Sequence, residues 1–450
     1  MSKFFHAYDI RGIYNIDFDK NDVYKIGFFL TSLLKTDKIL VGRDVRVSSP
    51  EIYEYLVKGI IDSGANVYNA GLATTPMIYY LTAKHHFDAS VMITASHNSK
   101  EYNGIKVSGT DASPIGYDAG LNVIENLVNT KEIVIAEKKG EVISFDVKND
   151  YISFLHKYLT DISNLKVGID SSNGMSALLI KDILGDTPIY INNELDGNFP
   201  SHDPNPLVEA NTNDIKKLVI DQKCDIGLIF DGDADRVMFI DEKGNFIQPD
   251  LMIAVLAEHF LKNESSIKPK VLHDIRTSKS VTEYIQSKGG EAVMWKVGRA
   301  FASVKLREID GLFGGELAGH YYFKDFYFSD SGILMSLIVL EILNNLKSEG
   351  IAISNLIEKI NKYYSSGELN LKIENKKEAM ELLKDTLTEE EKLTAFYDFD
   401  GYRIEFKDWW FNIRPSNTEP YLRLLIEANT EIILKEKASR IKNLLKRFEI

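Results

Sequence analysis

The chain has 450 residues, 44% hydrophobic and 26% charged, a balance that fits several folded globular domains and excludes a disordered or fibrous protein. Its 53 Lys and Arg against 66 Asp and Glu give a net charge of -13, which argues against nucleic acid or an anionic membrane as partner and requires local basic clusters for any anionic ligand. The single cysteine, Cys224, permits no internal disulfide, and Lys3, Asp9 and Arg11 break up the start of the chain, so a signal peptide is not expected and a cytoplasmic location is.

Short β-branched runs alternate with longer amphipathic stretches, the pattern of mostly parallel sheets with crossover helices. In chain order, periodicity predicts a helix over 22–36, a strand over 38–41, a helix over 51–63 and strands over 89–94, 166–170 and Ile226–Phe230, followed by a helix over 251–262. Three strand ends echo one another: Ile39-Leu-Val-Gly-Arg-Asp44, Leu165-Lys-Val-Gly-Ile-Asp170 and Lys270-Val-Leu-His-Asp274, each followed by a serine-containing turn. The echo suggests a repeated α/β unit. The apolar run 332–343 contains Glu341 and is too short to span a bilayer. From there the character changes, with a charged helix predicted over 374–392 and strands over 397–406 and 409–413, as for a separate α+β domain.

Four loops carry chemistry. After an apolar run, Thr94-Ala-Ser-His-Asn-Ser-Lys-Glu-Tyr-Asn-Gly-Ile-Lys106 places Ser96 and His97 at the end of a strand, where α/β proteins commonly do chemistry. The same residues also suit an ordinary turn that caps a helix. Phe230-Asp-Gly-Asp-Ala-Asp-Arg236 sets Asp231, Asp233 and Asp235 two residues apart after a buried strand. Oxygen ligands without His or Cys suit Mg²⁺, and metal binding is favoured over a plain acidic turn. Gly314-Gly-Glu-Leu-Ala-Gly-His320, preceded by Trp295-Lys-Val-Gly-Arg299, offers Glu316 to sugar hydroxyls and His320 to proton exchange, or is a glycine-rich connection. Finally, Arg414-Pro-Ser-Asn-Thr-Glu-Pro-Tyr-Leu-Arg423 lines up a guanidinium with three further donors, as a dianionic phosphate requires.

In this order, and with Tyr8-Asp-Ile-Arg-Gly12 near the start, the loops resemble those of the α-D-phosphohexomutase superfamily, most closely its bacterial phosphomannomutase/phosphoglucomutase branch. The resemblance spans the whole chain. It implies four domains around a central cleft: three related α/β domains with mixed sheets over residues 1–143, 144–246 and 247–360, and a smaller α+β domain over 361–450. It further implies a mutase that interconverts hexose 1-phosphate and hexose 6-phosphate through phosphorylated Ser96, with Mg²⁺ held by Ser96, Asp231, Asp233 and Asp235 and a hexose 1,6-bisphosphate as intermediate and activator.

By the same resemblance the catalytic set is Ser96, His97, Lys106, Arg11, Arg236 and His320. Substrate falls to Tyr8, Arg276, Arg299, Glu316, Arg414, Ser416, Asn417, Thr418 and Arg423. The implied partner is a small sugar phosphate, in a monomer or homodimer. This chain departs from the family in carrying Ser99 where proline is common, Ala318 where the sugar loop has serine, Arg299 where some relatives have histidine and Arg276 where many have lysine. The rival readings are a phosphoglucosamine mutase, a Mg²⁺-dependent sugar phosphatase and a non-catalytic sugar-phosphate sensor.

Overall fold

The computed structural model describes residues 4–146, 148–262, 264, 268–416 and 421–448. Four sheets follow one another along the chain. The first runs in the order Ile10–Ile13, Tyr102–Gly109, Ala89–Ile93, Lys38–Arg43, Asn66–Leu72 and Val142–Ser144. Its inner strands pair in parallel, while Tyr102–Gly109 and Ile10–Ile13 run antiparallel at one side. The second repeats this plan: Ile189–Ile191, Val167–Asp170 and Ile226–Phe230 are parallel, and Val237–Asp241 and Phe246–Ile247 continue antiparallel. So does the third, with Glu291–Trp295, Lys270–Asp274 and Phe313–Gly315 parallel, then Tyr321–Phe323 and Ser329–Asp330 antiparallel. The fourth sheet is antiparallel throughout.

The echoed strand ends therefore occupy one position in three related domains. Lys38–Arg43, Val167–Asp170 and Lys270–Asp274 each lie between two parallel neighbours, with apolar residues on both faces as helices on both sides demand. At each of their ends an aspartate folds the chain back, its Oδ1 accepting from the backbone N–H two residues on: Asp44 from Arg46 at 3.0 Å, Asp170 from Ser172 at 2.8 Å and Asp274 from Arg276 at 2.7 Å. In each domain the next strand inward leads through a loop to an antiparallel partner. Those three loops, 94–101, 231–236 and 316–320, are the serine, acidic and glycine-rich motifs.

Helix starts follow local chemistry. Asp19 accepts from the N–H groups of Asn21 and Asp22 while Asp22 accepts from the Asp19 N–H, which fixes the start of Lys20–Leu34. Ser331 caps Gly332–Ser348, a helix apolar on nearly every side up to Leu343, where it is buried in the shared core of the first three domains, and polar beyond. That core runs from Leu40 and Tyr80 through Tyr151, Ile169 and Phe230 to Leu251, Phe313 and Ile338. The fourth domain has its own core around Met380, Phe411 and Ile426. Its contacts with the third domain are largely polar: buried Arg403 donates to the carbonyls of Ile275 and Thr277, and Glu427 accepts from the Lys279 N–H. Polar interfaces of this kind accompany domain movement.

Most predicted elements differ from the observed ones only at their ends: Lys20–Leu34, Ser49–Asp62 and Pro249–Phe260 each start two residues early, where caps and prolines set the first turn. The segment 397–406 is not one strand. Ala395–Tyr397 and Tyr402–Glu405 pair antiparallel, with Gly401 at φ +66° packed against the Arg414 backbone. The charged helix, Lys376–Glu390, buries Ala379, Met380, Leu383 and Leu387 and turns its charges to solvent. Among the described residues no helix is long and apolar enough to cross a membrane.

Candidate active site

Ser96 sits in a left-handed conformation, φ +50°, at the end of the buried strand Ala89–Ile93. Thr94 Oγ1 accepts its backbone N–H at 2.9 Å, and its own Oγ donates to Asp231 Oδ2 at 2.8 Å across the boundary between the first two domains. The acidic loop comes this close because residue 232 is glycine: a Cβ there would lie 2.4 Å from the Ser96 carbonyl oxygen. His97 lies alongside with Nδ1 3.5 Å from Ser96 Oγ; burial, then Arg236 and Arg11, hold its imidazole neutral. The closest partner of the serine hydroxyl is thus a carboxylate of another domain.

Asp231, Asp233 and Asp235 are all buried and each offers an oxygen within 4.8 Å of the others. Cations surround them. Arg236 Nε donates to Asp231 Oδ2 at 3.0 Å, and Lys106 Nζ donates to Asp233 at 2.7 Å and Asp235 at 2.6 Å. Thr75 Oγ1 donates to Asp233 at 2.6 Å. Burial, reinforced by Asp235 and Asp233, pushes the Asp231 carboxyl well up, whereas Lys106 and His320 overcome burial to hold Asp235 at about 2. Asp233 Oδ1 and Asp235 Oδ1 are buried with no hydrogen-bond partner among the described residues. Oxygens left over after Arg, Lys and Thr have been satisfied suit a hard divalent cation, so the three aspartates fit Mg²⁺.

The glycine-rich loop closes the other side. Arg236 and His320 form an isolated backbone bridge, which ties the acidic loop to the third domain. His320 Nδ1 lies 2.6 Å from Asp330 Oδ2 and 3.9 Å from Asp235 Oδ1, and these carboxylates raise its affinity for a proton despite burial. Arg299 pairs with Asp330 at 3.1 Å and lies over the Tyr79 ring at 3.6 Å. Glu316 accepts from Tyr322 Oη at 2.6 Å and from the Gly298 N–H at 3.0 Å. Tyr8 reaches across from the first domain to donate to the Val297 carbonyl at 3.0 Å; its ring fills the space a side chain at Gly298 would take. Arg11 donates to Asn98 Oδ1 at 2.8 Å and pairs with Asp9.

The fourth domain joins through Asp400, which accepts from the Val297 N–H at 2.8 Å and from Arg414 Nη1 at 3.3 Å. A bonded path therefore leads from Glu316 through Gly298, Val297 and Asp400 to Arg414. Arg276 pairs with Asp274 at 2.7 Å and with Glu368 at 3.1 Å, and Arg423 reaches the same Glu368 at 3.0 Å. Ser416 follows the strand that carries Arg414, its N–H donating to the Tyr421 carbonyl at 2.9 Å, whereas Asn417 and Thr418 lie outside the described residues.

Several contributors escaped the sequence reading. Arg46, fully buried, donates to the carbonyls of Ser96, Asn98, Ser99 and Tyr102 at 2.8, 2.7, 2.7 and 3.1 Å, and so fixes the serine loop. It lies two residues after the echoed Asp44, which is the signal in the sequence that marks it. Thr75, Asp330, Glu368 and Asp400 have no motif of their own and come into place only through the fold.

Four family models match in sequence along the chain. They are the phosphoglucomutase/phosphomannomutase α/β/α domains I, II and III, over residues 2–134, 149–244 and 248–363, and the C-terminal domain of the same family over 368–444. A phosphomannomutase of Methanocaldococcus jannaschii is 37% identical over 99% of this chain and 98% of its own length. One from Escherichia coli K12 is 34% identical over 97% of each. Among solved structures, a phosphoglucomutase/phosphomannomutase family protein from Burkholderia thailandensis superposes with a TM-score of 0.88 at 27% identity, covering 99% of this chain and 98% of that one.

Proposed function

The chain belongs to the phosphoglucomutase/phosphomannomutase family, and from that premise we propose that it interconverts hexose 1-phosphates and 6-phosphates of mannose and glucose through phospho-Ser96. The observation that carries this reading is the Ser96 hydroxyl, aimed at Asp231 inside a buried cage of Arg236, Lys106 and His320. Such a site is built to stabilise charge on a group passing to and from one oxygen.

In the first half-reaction the P–O bond to Ser96 Oγ breaks and a P–O bond forms to the free hydroxyl of the bound sugar phosphate, whose proton ends on the released Ser96 Oγ. The product of that step is the 1,6-bisphosphate. After the bisphosphate turns end for end, its other phosphoryl group returns to Ser96 Oγ. Mg²⁺ on Asp231, Asp233 and Asp235 would neutralise charge on the transferring group. Lys106, held in its charged form by Asp233 and Asp235 despite burial, and His320, whose affinity for a proton Asp235 and Asp330 raise, supply positive charge beside the acidic loop. Glu316 holds ring hydroxyls, and Arg414, Ser416 and Arg423 hold the non-reacting phosphate, with Asn417 and Thr418 of the same loop. Because a ligand that turns over changes the place of its C2 hydroxyl, and Ala318 removes one polar partner, discrimination between mannose and glucose is weak.

Ser96→Ala is the test. Turnover of both 1-phosphates should fall by several orders of magnitude with the fold intact, and intact-mass measurement should find one added phosphoryl group on wild-type molecules but none on the variant. Near wild-type turnover in Ser96→Ala would end the phosphoserine reading, and free phosphate as the main product would point to a phosphatase.

A further inference from the structure

Glu368 lies just before the strand Leu369–Lys372, on the segment that leads from the third domain into the fourth. Its two carboxylate oxygens are divided between domains: Oε2 accepts from Arg276 Nη1 at 3.1 Å and Oε1 from Arg423 Nη1 at 3.0 Å. Arg414 is near enough to act on it too. Burial alone would favour the protonated acid, but Arg276, Arg423 and Arg414 together hold the carboxyl below the ordinary glutamate range.

The arginines are otherwise tethered from behind. Arg276 spends Nε and Nη2 on Asp274, which leaves Nη1 for Glu368. Arg414 Nη1 faces Asp400, while its Nε is buried without a hydrogen-bond partner among the described residues. Among the described residues, three carboxylates pair with these three guanidiniums: Asp274, Asp400 and Glu368. A phosphate dianion added to that set would overload it with negative charge unless one carboxylate withdrew. Asp274 and Asp400 are tied by backbone N–H groups, of Leu317 and Val297, and cannot easily leave. Among these contacts Glu368 is bonded only to the arginine side chains.

We propose that Glu368 is the resident counter-ion of the phosphate pocket: its carboxylate holds Arg276 and Arg423 in place and is exchanged for the phosphate of the sugar when substrate binds. This deepens the reading of Arg414 and Arg423 as phosphate ligands and of Arg276 as a substrate ligand, and rests on it. The exchange has a kinetic use. A bisphosphate that must let go, turn and bind again is held against a competitor, so each phosphate is gripped without being trapped. The charge of Glu368 tunes affinity downward, and its reach across two domains lets the arginines stay ordered while the pocket changes ligands.

The test is calorimetric titration of glucose 1-phosphate, and separately of inorganic phosphate, into the full chain and its variants. Glu368→Gln should bind both about tenfold more tightly than wild type, because the competing charge is gone. KM and kcat should fall together, as the bisphosphate leaves more slowly. Glu368→Asp, whose shorter arm reaches one guanidinium rather than two, should show a smaller gain, and it decides the matter if the glutamine variant does not fold. If Glu368 merely braces the two domains, both variants will bind equally or more weakly while Arg414→Gln binds poorly. That result overturns the counter-ion and spares the phosphate pocket. Unchanged binding in both Arg414→Gln and Arg423→Gln would instead remove the pocket itself, and the counter-ion with it.

Discussion

Two turns of this molecule are built alike and used differently. In the first domain Asp44-Val-Arg46 follows a central parallel strand, and in the third Asp274-Ile-Arg276 does the same; both aspartates accept the arginine's own backbone N–H and pair with its Nε. From there the guanidiniums diverge. Arg46 turns inward, where four loop carbonyls and the Phe199 ring enclose it. Arg276 turns towards the fourth domain and meets Glu368. The comparison teaches that an Asp-x-Arg turn fixes where an arginine starts, while the neighbouring element decides whether it becomes a strut within a loop or a charge shared with another domain. In the second domain the same position holds Ser172, and His202 arrives from elsewhere in the chain to pair with Asp170 at 3.1 Å.

Substitution of the two arginines should separate these uses. Arg46→Met takes the guanidinium from four carbonyls and from Asp44 Oδ2 in a buried place, and should cost about 3–5 kcal/mol of stability together with most turnover. Denaturant unfolding and steady-state kinetics on the same preparation measure both. A loss below about 1 kcal/mol would mean that water replaces the guanidinium and that the strut is unimportant.

Arg276→Met should act mainly on binding, raising KM for hexose 1-phosphate by roughly ten- to a hundredfold with a smaller change in stability. The lysine variants draw the contrast more finely. Arg46→Lys should remain damaging, because three ammonium protons cannot serve four carbonyls and Asp44. Arg276→Lys keeps a point charge beside the phosphate pocket and should change KM by only a few-fold. Equal damage from the two lysine substitutions would erase the distinction between the turns.

The smallest effect concerns the acid beneath the third-domain turn. Asp250 is buried where its Oδ2 accepts the Ser278 N–H at 2.9 Å, and burial, with Glu427 and Asp274 nearby, raises its pKa to about 7. The folded chain therefore keeps a proton there that the unfolded chain gives up near pH 4. Between about pH 4 and pH 7 the unfolded state binds fewer protons, so this group's contribution to stability declines as pH rises through that window and is flat above it. Asp250→Asn should remove that slope and unfold at higher denaturant than wild type at pH 8, by about 1 kcal/mol. An unchanged slope in the variant would assign the pH dependence to other groups.

How much of this was legible in the chain can be traced residue by residue. Strand Ile226–Phe230 was read with its observed limits because an unbroken apolar run has only one way to be satisfied, burial on both faces. Segment 397–406 was misread as a single strand, because nothing in local hydrophobicity marks the reversal at Gly401, whose positive φ is set by the Arg414 backbone packed against it. Ser96 is singled out only through the family resemblance, since its loop on its own suits an ordinary turn; the three aspartates stood out because they alternate within one short segment. Asp330 and Glu368 did not, since a lone carboxylate looks like any other until its partners arrive.

The sequence by itself determined the elements, the three-fold echo of strand and aspartate turn, and the short loops whose residue types offer ligands to metal, phosphate and hydroxyl. These are local matters of periodicity, backbone preference and side-chain donors, and neighbours along the chain settle them. Only the tertiary structure decided that Ser96 meets Asp231 across 135 positions, that Lys106 serves Asp233 and Asp235, and that Glu368 lies between arginines of two domains. Such pairings depend on which sheets share a core and which meet through polar contacts. That is a property of the summed apolar surfaces of the domains, and no single segment carries it.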